Sequence, residues 1–356
     1  MAGKATFKRM RVLARAHAKV NLDLRVLGTR TDGYHELRTV FQSIALHDTL
    51  LCVSRPGPFA LKCRKSGIPL DESNLVWRAA SALWTAIGRA GTPTDLSISL
   101  RKEIPMQAGL GGGSANAAAA LLALSRVWGG VPLPLLRDVA GTIGADVPYF
   151  LSGGTALGLG RGEEIYPLVD LPTHWIVIVQ PPYGISTAEA YAWYDEDRAA
   201  GLREPREPQM LPVPWPTRAA QMINDLEPPV VRRHPEIGAF KTVLREAGAV
   251  AAAMSGSGSA VFGLFRTQAA ASRALKPVSR SGARARLTRN RTSPCARAVS
   301  ATATRTASRS STPIPSSSAS TANASPATSS APTAATAAPN STPPCSASSR
   351  KAKACF

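Results

Sequence analysis

Between Pro105 and Asn116 the chain reads PMQAGLGGGSAN, and the alanines Ala117 to Ala120 follow directly. Gly109, Gly111, Gly112 and Gly113 put four glycines into five positions. Glycine loses more backbone freedom on folding than any other residue. Such density is kept where the backbone must adopt φ > 0 or approach something closely. Alanine is the strongest helix former. The stretch therefore predicts a loop over 105–113 that opens a helix running to about Trp128. A helix start presents unpaired N–H groups and about half a positive charge, and missing Cβ atoms let phosphate oxygens reach the backbone. The loop reads as a phosphate cradle, to which Ser114 adds a hydroxyl for a phosphate or for Mg²⁺. The spacing is neither G-x-x-x-x-G-K-[ST] nor G-x-G-x-x-G, which excludes the P-loop and the dinucleotide fingerprint. The competing reading is a tight turn with close helix packing.

Around this loop the pattern is mixed. Residues 11–27 alternate apolar and polar, as a strand does, and strand-like runs recur at 37–55 and 95–101. Leu75, Ala79, Leu83 and Ile87 fall at helical spacing, with Ser73 as N-cap and Gly88 or Gly91 as the stop. Further helices are predicted from Pro134 to Ile143, from Thr187 to Asp195 and from Pro235 to Ala247. TALGLGRG and WIVIVQP read as strands, and AVAAAMSGSGSAVFGLF as strand, glycine turn, strand. Strands clustered early, rather than alternating strictly with helices, give an α+β class.

Of the net charge of +19, the 14 Lys and Arg of residues 266–356 supply most, leaving +5 for residues 1–265. That mild excess suits a phosphorylated substrate without demanding nucleic acid. No Asp or Glu occurs from Ala247 onward. Cys52 and Cys63 lie in the body, and Cys295, Cys345 and Cys355 lie near the end. No C-x-x-C pair occurs, so neither a zinc site nor a disulfide framework is indicated. With no 18-residue apolar run and no secretory signal, the expected location is cytoplasmic. Beyond about Leu275 the chain becomes Ser, Thr, Ala, Pro and Arg with hardly an aliphatic residue, a composition expected to stay disordered. The absence of acids there suggests a shifted reading frame after about residue 270, with the last strand of the fold lost. A basic tail raises a second function class, binding to nucleic acid or an acidic partner. Its arginines are scattered without aromatics between them, which argues against it.

Taken in order, AKVNLDLRVLGTRTDGYHEL, PMQAGLGGGSANAA, GADVPYFLSGGTALGLGRGE, NDLEPPV and MSGSGSAVFGLF resemble the motifs of the GHMP kinases, over roughly residues 11–275. These small-molecule kinases carry their own phosphate loop, P-x-x-x-G-L-G-S/G-S/G-S. The resemblance implies a two-domain α+β fold. Residues 11–168 would form an N-terminal domain like domain 2 of ribosomal protein S5, and residues 169–275 a C-terminal α/β sandwich. Residues 276–356 would be a disordered tail. It also implies ATP as phosphoryl donor, Mg²⁺ without a dedicated protein ligand, a small-molecule substrate, no membrane, and a monomer or homodimer. DGYHEL with GADVPYF points within the family to members acting on the 2-hydroxyl of a cytidine diphosphate derivative of methylerythritol in non-mevalonate isoprenoid synthesis. It points away from homoserine and mevalonate kinases.

Position by position, the resemblance implies Asp146 as catalytic base and Lys19 as catalytic lysine. Val147, Pro148, Tyr149 and Phe150 beside Asp146 are expected to strip it partly of water. Read alone, Asp146 is a helix cap or turn residue and Lys19 a solvated strand lysine. The nucleotide is assigned to Lys102 and to Pro105, Met106, Gln107, Ala108, Gly109, Leu110, Gly111, Gly112, Gly113, Ser114 and Ala115. The alternative for Lys102 is a loop lysine in water. Asn21, Tyr34, His35 and Tyr191 are assigned to the substrate, the aromatic rings stacking the cytosine. Core packing is the rival for Tyr191. Ser255 to Ser259 match a third motif that supports the phosphate loop, and alone would be only a turn.

Overall fold

The structure, a computed structural model, describes residues 10–202, 222–280, 282–292 and 299–303. In chain order the elements are β1 (Met10–Thr29), β2 (His35–Pro58), β3 (Ala60–Cys63), α1 (Leu75–Ala86), β4 (Thr94–Arg101), α2 (Gly112–Trp128), α3 (Leu133–Ile143), α4 (Val147–Ser152), β5 (Thr155–Gly160), β6 (Glu164–Pro167), β7 (Trp175–Gln180), α5 (Thr187–Ala199), α6 (Glu227–Arg233), α7 (Pro235–Glu246), β8 (Ala251–Met254), β9 (Val261–Phe265), α8 (Gln268–Arg280), β10 (Arg284–Arg289) and β11 (Val299–Ala303).

The long antiparallel hairpin of β1 and β2 organises the first sheet. β2 is long enough to hold two partners on one edge: its start pairs with β5 from Leu37 to Gln42, and its end pairs with β4 from Thr49 onward. Among the described residues the sheet runs β11-β1-β2-β4-β3, with β5 and β6 continuing beside the first half of β2. The start of β1 alternates, with Val12 and Ala14 buried and Arg11 and Leu13 exposed, the pattern of a strand with one wet face. From Ala16 to Leu24 every residue is buried, and the alternation disappears. One face there meets α2; Ala18, Val20 and Leu22 on the other pack with Ile176, Ile178 and Phe262. This double burial carries Lys19, Asn21 and Asp23 into the interior. A solvated strand lysine is therefore excluded.

The second sheet is antiparallel, β10-β7-β9-β8, with α5 to α8 contributing to its core. α2 is apolar nearly all round because it lies between the hairpin and the helices α1, α3 and α4. Ala117, Ala118 and Ala120 are fully buried, and their small side chains let the neighbouring elements approach. Gly129, at φ 116°, ends the helix in the left-handed region.

Several boundaries differ from expectation. α2 starts at Gly112, so Gly112 and Gly113 form its first turn rather than the loop. Asn74, not Ser73, caps α1, its Oδ1 accepting from the Val76 N–H at 2.9 Å, and Gly88 at φ 79° stops it. α5 extends to Ala199 behind a reciprocal capping box of Ser186 and Glu189. The larger correction lies at the C-terminal end. α8 runs to Arg280 with Ala271, Ala274 and Val278 buried at helical spacing, and β10 pairs with β7 over six residues. The last strand of the sheet is thus present. A frame change near residue 270 does not fit a helix and strand that complete the fold in this way. Most of the expected tail lies outside the described residues.

Candidate active site

The glycine loop is shaped by what surrounds it. Gly109 and Gly111 have φ of 69° and 67°, in the left-handed region that side chains disfavour. A Cβ on Gly109 would collide with the Ser255 carbonyl. On Gly111 it would come within 2.6 Å of Phe150 Cζ and 3.1 Å of Lys19 Cγ. Gly112 needs no unusual φ, but a Cβ there would meet Ile104 Cγ2 at 2.9 Å and Lys102 Nζ at 3.2 Å. The loop rests on the second glycine turn: Ser255 Oγ donates to the Gly109 carbonyl at 2.9 Å, and the Ala260 N–H donates to that of Ala108 at 3.3 Å. Ser259 Oγ donates to the Tyr183 carbonyl at 2.7 Å. The first N–H groups of α2 and the Ser114 hydroxyl open onto a cavity of about 1370 Å³, so they are placed to bind an anion. Pro105 to Ser114 all line it; Ala115 does not, its side chain being buried in the core.

Two distant segments meet opposite the loop. Lys19 Nζ lies 3.6 Å from Asp146 Oδ2 and donates to Asn21 Oδ1 at 2.5 Å. Asn21 is fixed in turn, its Nδ2 donating to Thr39 Oγ1 at 2.8 Å and its N–H to Ser255 Oγ at 3.3 Å. Burial pushes the Lys19 ammonium below the usual lysine range, and the Asp146 charge opposes that shift. Asp146 occupies the N-cap position of α4, yet its side chain makes no cap hydrogen bond. Val147, Tyr149 and Phe150 turn into the core and leave the carboxylate facing the cavity, with a third of its side chain exposed. Two thirds of the Asp146 side chain is thus covered, in keeping with the partial loss of water expected.

Lys102 is neither in water nor free. Its ammonium pairs with the fully buried carboxylate of Asp48 and donates to Asn116 Oδ1 at 3.0 Å. Asp48 also accepts from the N–H of Glu103 at 2.6 Å, the N–H of Ile104 at 2.8 Å and Asn116 Nδ2 at 2.8 Å. One carboxylate thus ties β2, the end of β4 and the first turns of α2 beneath the glycine loop. Nothing local in the sequence marks Asp48 or Asn116, since single polar residues in apolar runs have no periodic signature.

The far end of the cavity is aromatic. Tyr34 is exposed there, and His35 stacks on Tyr191 with ring centroids 4.7 Å apart and planes at 21°. His35 Nε2 lies 2.9 Å from Asp195 Oδ1, one helical turn beyond Tyr191 on α5. The Tyr191 phenol is raised above its usual range, chiefly by burial and next by the Asp146 charge. Core packing and cavity lining are both true of Tyr191. All four residues assigned to the substrate line the same cavity as the loop and the Lys19–Asp146 couple.

The chain matches the models for the GHMP kinases N terminal domain over residues 74–154 and the GHMP kinases C terminal domain over residues 216–284. It is 45% identical over 273 residues to the 4-diphosphocytidyl-2-C-methyl-D-erythritol kinase of Solibacter usitatus, covering 74% of this chain and 84% of that one. A crystal structure of 4-(cytidine 5'-diphospho)-2C-methyl-D-erythritol kinase superposes with a TM-score of 0.64 at 37% identity, over 78% of this chain and 98% of the other. Homoserine kinase from Cytophaga hutchinsonii shares the fold at 18% identity, with a TM-score of 0.58 over 85% of this chain and all of its own. With its glycine cradle, its lysine–carboxylate couple and these relatives, the chain belongs to the GHMP kinase family and, within it, to the 4-diphosphocytidyl-2-C-methyl-D-erythritol kinases.

Proposed function

We propose that the protein transfers the γ-phosphoryl group of ATP to the 2-hydroxyl of 4-diphosphocytidyl-2-C-methyl-D-erythritol, a step of non-mevalonate isoprenoid precursor synthesis. The observation that carries this reading is one cavity with a phosphate cradle beside the Lys19–Asp146 couple and an aromatic pocket at its other end. Asp146 takes the proton of the hydroxyl as its oxygen bonds to phosphorus and the bond to the ADP oxygen breaks. A positioned base of this kind contributes about 10²- to 10⁴-fold in rate. Lys19, held by Asn21, orients Asp146 and offsets charge developing on the transferred group. The amides at the start of α2, with Ser114, hold the donor phosphates.

Mg²⁺ belongs to this proposal. Among the described residues no group of three or more His, Cys, Asp or Glu could hold a metal. The donor set that fits is the nucleotide's own phosphates with the Ser114 hydroxyl, where the ion would neutralise phosphate charge. Tyr34, His35 and Tyr191 hold the cytosine. No helix among the described residues is long and apolar enough to cross a membrane. Cys52 and Cys63 are free thiols, as suits the reducing cytoplasm we assign to the enzyme. Purified protein supplied with ATP and Mg²⁺ should phosphorylate the cytidine diphosphate alcohol, and neither homoserine nor mevalonate. Turnover of either of those, with none of the cytidine compound, refutes the substrate assignment.

A further inference from the structure

We propose that Arg161 is the residue that grips the diphosphate of the cytidine substrate, an inference that rests on the reading above. A substrate with its base among Tyr34, His35 and Tyr191 and its hydroxyl at Asp146 must lay its two phosphates across the space between them. Arg161 stands there. Its guanidinium carbon lies 5.2 Å from the Tyr34 ring centroid, at the base end. The next residue, Gly162, backs onto the transfer end: a Cβ there would sit 3.9 Å from Asp146 Oδ1.

The charge inventory singles out the same residue. Among the described residues four cationic side chains line the cavity: Lys19, Arg78, Lys102 and Arg161. The ammonium groups of Lys19 and Lys102 are buried against Asp146 and Asp48, each side chain 5% exposed, whereas Arg161, although paired with Glu163, is 37% exposed. Arg78 lies on α1 with Leu75, which faces Gly113 on the glycine-loop side. The lining carboxylates, Asp195 at the base end and Asp146 at the transfer end, would repel a diphosphate laid between them, and Arg161 is the cation that answers them. Glu163 holds the arginine through Nε at 3.2 Å and accepts from its backbone N–H at 2.6 Å. That fixes the base of the side chain and leaves both terminal amino groups outside the bond, in the fork that suits two phosphate oxygens. Nearby Asp32 is engaged by the Tyr34 N–H at 3.1 Å and by Arg30.

The test is calorimetric titration of the full-length protein with cytidine, CDP and ADP. Wild type should bind CDP about 10- to 100-fold more tightly than cytidine, the range of a charged hydrogen-bond pair. Arg161→Gln should lose that advantage while cytidine and ADP affinities hold, and Arg161→Lys should keep part of it. An equal loss for cytidine and CDP would show that Arg161 only props Tyr34 and would overturn the proposal. A loss confined to ADP would reassign the residue to the nucleotide. Wild type binding cytidine and CDP equally sinks the Arg161 assignment alone, whereas wild type binding neither sinks the base pocket itself.

Discussion

Replacing Asp48 with alanine should cost the fold far more than an ordinary strand substitution. The change removes the carboxylate that pairs with the Lys102 ammonium, whose side chain is 5% exposed. It also orphans the N–H groups of Glu103 and Ile104 and the side-chain amide of Asn116. Breaking a buried ion pair from one side costs about 3–5 kcal/mol. Each abandoned buried donor adds about 1–3 kcal/mol unless relaxation or water satisfies it. With water or relaxation satisfying the three abandoned donors, the broken ion pair remains and a net loss of about 4 kcal/mol is expected, a large share of the roughly 5–15 kcal/mol that holds a domain folded. With a urea slope of about 2–3 kcal/mol/M, the unfolding midpoint should fall by about 1–2 M. The double variant Asp48→Asn/Lys102→Met keeps an acceptor for the two backbone N–H groups and leaves no unpaired charge, so it should recover more than half of the loss. An Asp48→Ala midpoint within about 0.3 M of wild type would refute the clamp.

Two further perturbations probe the loop and the core. Gly111→Ala forces a side chain into the left-handed region and against Phe150 and Lys19; roughly 1–2 kcal/mol of backbone strain and 1–3 kcal/mol of overpacking should lower the melting temperature and displace Lys19, cutting turnover at least tenfold, and wild-type activity would refute it. His17 is buried and held neutral, its pKa lowered to about 3 by burial first and then by Arg291 and His47. Below pH 6.5 the unfolded chain takes a proton there that the native state refuses. Stability present above that pH is lost as pH falls toward 3, at up to about 1.4 kcal/mol per pH unit. His17→Gln should flatten this slope in urea melts between pH 7 and pH 5, and an unchanged slope contradicts the account.

The glycine loop was readable because it carries a strong local mark, Gly109 and Gly111 standing where φ turns positive. Lys19 and Asp146 carry no such mark; the family resemblance alone singled them out, and the fold brings them to one cavity. Asp48, Asn116, Asp195 and Arg161 were missed because each acts through a partner that only the folded chain supplies. The solvated alternative for Lys102 stayed open for the same reason. The failure beyond Leu275 has a different cause. In β10, RARLTR, arginines hide a strand whose hold on β7 comes largely from backbone pairing, and in α8 the buried face is built from small residues, Ala271 and Ala274. Composition registers such segments as polar and low in aliphatics, although they complete a sheet and its cover.

The central claim is that Asp146 receives the proton of the attacking hydroxyl. Its most direct test is single-turnover phosphorylation of the cytidine diphosphate alcohol by wild type and Asp146→Asn, with both ligands saturating and their affinities measured separately. The isosteric amide keeps the shape of the site and removes the base. The rate should fall by about 10²- to 10⁴-fold while ATP and substrate affinities change by less than about fivefold. An Asp146→Asn enzyme that transfers phosphoryl at the wild-type rate contradicts the account.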